Sequence, residues 1–167
     1  FTLLALEFIL LAARELHGRD HAAAAPLVLA GSIGFLFHAH EAQPMLAALT
    51  AHTAAYWSLT LLPRRPNFAA MVFGCAIAPG FLANGLLPVA TLLPVTVFSL
   101  WQSEDKKKSA KLLALSMALA LFLSALWLAP LQMRSPQYLT SFMLIESAPL
   151  TKAVQPAYNI LRYLNLL

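Results

Sequence analysis

The sequence predicts an all-α protein, a polytopic transmembrane helix bundle of about six to seven membrane segments, on three observations. Of its 167 residues 60% are hydrophobic and only 11% charged, where a soluble domain carries about 25% charged residues, and the mean hydropathy is +0.71. Long apolar stretches recur, separated by short polar breaks. The basic residues gather in those breaks. A net charge of +4 would suggest nucleic acid in a soluble chain, but confined to loops it follows the positive-inside rule, and no nucleic-acid partner is expected. The single Cys75, inside an apolar run, excludes a disulfide framework and a cysteine metal centre.

Phe1–Ala13 is too short to cross about 30 Å of hydrocarbon at about 1.5 Å per residue. It lacks the basic flank and small-residue cleavage site of a signal peptide. It is expected to be the end of a transmembrane helix, and the chain an internal piece of a longer protein. A polar turn follows from Arg14 to His21, with Gly18 as the helix stop. Ala22–Phe37 returns across, interrupted by Pro26 and by small residues at Ala30, Gly31, Ser32 and Gly34 that suit close helix contact. Phe37-His38-Ala39-His40-Glu41-Ala42-Gln43-Pro44 then sets two imidazoles, a carboxylate and an amide between apolar segments. Pro44 fits the first turn of the next helix, Met45–Leu62.

Pro63-Arg64-Arg65-Pro66-Asn67 forms the next loop. Phe68–Ala83 and Leu86–Trp101 make a pair of spans joined at Asn84-Gly85, a turn dipeptide. At about 16 residues each, roughly 24 Å, they fall short of a full span, and Pro79, Pro88 and Pro94 bend them. Short broken helices of this kind place their turn below the membrane surface, in a protein-lined cavity. The charged loop Gln102–Ser109 leads through Lys111 into Leu112–Leu131, a full-length span. Residues 1–131 thus form the expected transmembrane core, 132–150 an interfacial segment on the outer face, and 151–167 the start of a further membrane or interfacial helix.

Alternating spans put the 14–21, 63–67 and 102–111 loops on one face, with eight of the eleven basic residues. That face is expected to be cytoplasmic. The His38–Pro44 corner, the Asn84-Gly85 turn and the Arg134–Tyr138 stretch then share the outer face.

Ionisable groups at membrane depth are costly and usually mark a site. His38 and His40 lie about 200° apart around a helix and cannot share a metal ion from it. His38 and Glu41, at i and i+3, can, although a zinc centre needs at least one more protein ligand. These groups either form a site of that kind or sit solvated at the wet end of a helix. Gln43 and Asn84 can donate to a phosphate or sugar, or cap backbone groups. Arg134, an isolated cation on the outer side, can bind a lipid phosphate or anchor the interface. His52 and Tyr56, one turn apart, suit an interhelical hydrogen-bonding pair, and Glu7 a structural partner on a helix outside the chain. Trp57, Trp101 and Trp127 suit an interfacial belt.

In order, these features resemble the membrane-embedded GT-C glycosyltransferases that use polyprenyl-phosphate sugars. The nearest likeness is to the bacterial branch related to the aminoarabinose transferase of lipid A and to protein O-mannosyltransferases. Ala12-Ala13-Arg14-Glu15-Leu16-His17-Gly18-Arg19 looks like that family's A-R-x-L-x-G-R turn, and His40-Glu41-Ala42-Gln43-Pro44 like its H-E-x-x-P/T corner. Gly80–Pro88 looks like its G-x-A-F-L-x-K-G-x-x-x-P hairpin, and Trp127–Tyr138 is similar to its segment entering an outer loop.

The resemblance implies a GT-C-like bundle in a bacterial inner membrane that transfers a sugar, with inversion, from a polyprenyl phosphate to an outer-face acceptor. His40, Glu41, Gln43, Asn84 and Arg134 would line the substrate pocket, with a divalent metal as cofactor at His38 and Glu41. The family's catalytic carboxylate lies in a loop that would precede Phe1. Two positions depart from the pattern: Met45 stands where an acidic residue is usual, and Asn84 where the hairpin has lysine. They raise an alternative of a different class, a non-catalytic subunit scaffolding other membrane proteins. A small-solute transporter built on the broken helices is a third class, but no inverted repeat is visible.

Overall fold

The order of the bundle follows from one ion pair and one shared cleft. A computed structural model describes residues 1–32, 44–103, 105–135, 137, 139–142 and 144, and every regular element among them is an α-helix. Helix α1 (Thr2–His17) stops at Gly18, whose φ of 80° no other residue type adopts readily. α2 (Ala24–Ala30) is short and ends at Gly31. α3 (Pro44–Leu61) begins at its proline, α4 (Pro66–Asn84) has Pro66 in its first turn, and α5 (Leu87–Gln102) follows across Gly85. α6 (Lys106–Arg134) is the longest. Arg64 Nη1 donates to Glu15 Oε2 at 2.8 Å, setting the end of α1 beside the α3–α4 turn. Pro63 and Pro66 line one cleft with Ser103, Asp105 and Lys108. All three basic loops therefore lie at one end of the bundle, and the Asn84-Gly85 turn lies at the other.

α4 is the central helix, packed on α3 along one side and on α6 along the other. α1 lies beyond α3, and α5 touches α3, α4 and α6 more lightly. The core is built of Ala54, Ala55, Phe73, Ala76, Ile77, Leu92 and Ala120, with Phe8, Leu59, Val89 and Leu113 around it. Trp57, expected as a belt residue, instead stacks on Phe8 with ring centres 5.6 Å apart and meets the edge of Phe68 at 6.1 Å.

The bundle is polar and small inside, apolar and large outside. α6 buries Ser109, Ser116, Ala120 and Ser124, and exposes Leu115, Leu121, Phe122, Leu126 and Trp127. Two of the described helices, α4 and α6, are long and apolar enough to cross a membrane, fewer than the six to seven segments expected. α3 has the length, but Thr50, His52, Thr53, Ser58 and Thr60 dilute its apolar character. α1 and α5 stop at 16 residues.

Three boundaries differ from those expected. The stretch Ala22–Phe37 opens a helix only at Ala24 and turns at Gly31-Ser32, where Gly31 N–H bonds Leu27 O at 2.9 Å; residues 33–43 lie outside the described ones. α6 starts in the lysine run because Asp105 caps it, its carboxylate accepting from Lys108 N–H at 3.0 Å. It also runs through Pro130 to Arg134, so residues 132–134 continue the core helix. A proline inside an apolar helix is tolerated where neighbouring groups re-satisfy the freed carbonyl.

Glycines set how closely α4 is approached. A methyl group at Gly74 would sit 2.7 Å from Ser116 O and 3.1 Å from Leu119 Cβ. The first neighbour is backbone, so the helices must part. Gly74→Ala is expected to destabilise the purified protein by about 1–3 kcal/mol in a denaturant titration in detergent. Cys75→Ala, on the exposed side of the same turn, is expected to stay within about 0.5 kcal/mol of the parent.

Candidate functional site

His38, His40, Glu41 and Gln43 lie outside the described residues. The structure does describe what surrounds their place in the chain: the start of α3, the α4–α5 turn and the end of α6.

The α4–α5 turn is built by its own motif residues. Gly85 takes φ 57°, ψ −135° and donates to Phe81 O at 2.8 Å, a conformation that a side chain would strain. A methyl group at Gly80 would lie 3.0 Å from Ala51 Cβ and 3.5 Å from Pro88 Cβ, and Pro88 is fully buried. The glycine and proline that bound the hairpin motif therefore face each other, and α3, α4 and α5 converge there. Asn84, half-buried, is the last residue of α4. Met45, one residue into α3, is exposed, so the position where the family has an acid presents a thioether to the surroundings.

Arg134 and Asn84 share this end but not one level. α4 and α6 run in the same direction and touch at Gly74 and Ser116. Counted from that contact at about 1.5 Å per residue, Arg134 reaches about 12 Å further along the bundle than Asn84. Its side chain is exposed. The chain then turns back, and Phe142 meets Phe81 edge-on with ring centres 6.3 Å apart. The two expected substrate contacts are thus separated by about two turns of α6.

His52 does bridge helices, but its partner is Thr91 on α5 rather than Tyr56. Nδ1 lies 2.8 Å from Ala48 O and Nε2 2.7 Å from Thr91 Oγ1. A carbonyl only accepts, so Nδ1 carries the proton, and in the neutral ring Nε2 accepts from the threonine hydroxyl. Glu7 is exposed on α1.

A second concave feature, not anticipated from the sequence, opens at the basic end between α3, α4, α5 and α6. Its inner part is a cavity of about 360 Å³ bordered by Ser58, Phe73, Thr96, Leu112, Leu113 and Ser116. Its mouth carries Gln102, Ser103 and Lys108. The signal was present as serines at 109, 116 and 124, which recur on one face of α6.

Among the described residues no three His, Cys, Asp or Glu side chains come together to hold a metal ion; the expected pair His38 and Glu41 lies outside them. No protein-family model matches the chain, and comparisons with curated proteins and with solved structures return no match.

The His52–Thr91 contact has a measurable consequence. A double-mutant cycle with His52→Leu and Thr91→Val is expected to give a coupling of about 1 kcal/mol, read from unfolding in detergent. Additive single effects would mean that the bond contributes nothing.

Proposed function

We propose that this chain belongs to the helical core of an integral membrane glycosyltransferase that moves a sugar from a polyprenyl-phosphate donor to an acceptor at the outer face of a bacterial inner membrane. The bundle sits in the bilayer with its three basic loops cytoplasmic. The inside-out distribution of α6, hydroxyls and alanine within and leucine, phenylalanine and tryptophan without, supports the membrane seat. A helix facing lipid has no reason to bury its large apolar groups.

One observation carries the glycosyltransferase reading. The start of α3, which the His38–Pro44 corner enters, and the Asn84-Gly85 turn meet at the end opposite the basic loops, in the order and orientation of the resembled motifs. In this reading His40, Glu41 and Gln43 line the donor pocket with Asn84, and Arg134 takes the lipid phosphate at the surface above it. Glu41 with His38 offers two ligands to a divalent metal, which would act as a Lewis acid on the phosphate. A second reading rests on Met45 and Asn84, which replace an acid and a lysine: a glycosyltransferase-like subunit without activity that holds partners together.

Glu41→Ala is expected to reduce sugar transfer at least about 100-fold, measured with membranes holding the protein and a panel of polyprenyl-phosphate sugars. Transfer at the parental rate would remove Glu41 from the site. Stoichiometric co-purification with other membrane proteins, and no transfer by the isolated chain, would select the scaffold. In a Cys75→Ala background, cysteines at 107 and 85 are expected to react with a membrane-impermeant maleimide from opposite sides of sealed vesicles. Labelling of both from one side would reject the topology.

A further inference from the structure

The cleft at the basic end is polar in sequence but not in surface. Each serine or threonine bordering its floor turns its hydroxyl onto its own helix: Ser58 donates to Ala55 O at 2.6 Å, Thr96 to Leu93 O at 2.8 Å and Ser116 to Leu112 O at 2.8 Å. What the floor presents is almost entirely carbon. A polar solute placed there would lose its water without gaining partners, at a cost of several kcal/mol. A hydrocarbon chain loses nothing.

The mouth has the opposite chemistry. Gln102, Ser103 and Lys108 offer amide, hydroxyl and ammonium groups, and Lys106, Lys107, Lys111, Arg64 and Arg65 stand exposed around them. The described carboxylates nearby are engaged: Asp105 accepts from Lys108 N–H, and Glu15 holds Arg64. The first turn of α6 opens here and adds the positive end of its dipole. An apolar floor under a cationic, hydrogen-bonding mouth is complementary to one kind of molecule, an amphiphile with an anionic head.

We propose that this cleft binds an anionic phospholipid of the surrounding bilayer, one acyl chain lying on the floor between Phe73, Leu112 and Leu113, and the phosphate at Lys108, Gln102 and Ser103. Interhelical basic pockets on a cytoplasmic face hold lipid head groups in this way. The site is at the far end from the proposed transferase pocket. It rests on the bundle's seat in a bilayer and not on sugar transfer, so an inert Glu41→Ala result leaves it standing.

The test is native mass spectrometry of the purified chain, titrated in detergent with phosphatidylglycerol. Saturable binding of one molecule is expected, with phosphatidylcholine of the same chains at least ten-fold weaker and glycerol 3-phosphate not bound at equal concentration. Lys108→Gln, an exposed change that leaves the packing alone, is expected to weaken phosphatidylglycerol about five-fold. Lys111→Gln, which does not border the cleft, is expected to change it less than two-fold. Equal losses for the two variants would reduce the effect to diffuse surface charge and overturn the site. Equal affinity for phosphatidylcholine would overturn the role of the mouth, tight binding of glycerol 3-phosphate that of the floor, and stronger binding of a free fatty acid the assignment to a phospholipid.

Discussion

The closeness with which α4 is approached on both flanks governs the rest of the bundle. At Gly74 the backbone of α6 comes near enough that a single methyl group would overlap Ser116 O, and at Gly80 the methyl of Ala51 and the ring of Pro88 take the space a side chain would need. These two contacts fix the height of α6 and α3 against the central helix. Through them they fix how far each helix extends beyond its neighbours. Between helices in lipid there is little hydrophobic drive to associate, so stability depends on such close packing and on a few hydrogen bonds. The core matches that need: it is mostly alanine, with Phe73, Ile77 and Leu92 as its larger members.

The buried polar groups follow a consistent pattern. Thr53, Ser58, Thr96 and Ser116 donate to a carbonyl three or four residues back in their own helix. Among the described residues no buried side-chain nitrogen or oxygen lacks a partner. Each helix satisfies its own hydroxyls first, which lets serine serve as a small spacer and leaves carbon at the interface. The bonds that do cross between helices, His52 to Thr91 and Arg64 to Glu15, sit toward opposite ends. The exposed ion pair contributes at most about 1 kcal/mol; its structural content is that it brings two loops to one end.

Local signals made much of the fold legible in the sequence. Gly18 stops α1, Pro44 opens α3, and Asn84-Gly85 closes α4, because each depends on the backbone preference of the residue itself. The grouping of the basic loops at one end was legible from charge alone. What lay beyond reach was long-range or context-dependent. Nothing local distinguishes Thr91 from Tyr56 as the partner of His52, since Thr91 is 39 residues away. Pro130 signals a stop in an ordinary helix, yet α6 runs through it. Asn84 and Arg134 could be assigned to one end but not to a common level, because that depends on where Gly74 meets Ser116. The cleft at the basic end was hidden by composition: its serines suggest polarity, and only their rotamers turn it into a carbon surface.

The unequal lengths of α5 and α6 have a mechanical consequence. Seated in a bilayer, the apolar run of α6, residues 112–131, matches about 30 Å of hydrocarbon, whereas α5 spans about 24 Å. Lipid next to α5 must compress by about 6 Å or leave the helix ends to sink, each ångström of mismatch costing a fraction of a kcal/mol. The bundle would therefore have a thick edge and a thin edge, and would orient itself within a membrane of uneven thickness as a wedge does in a crack, with its proline-broken helix toward the thinner side.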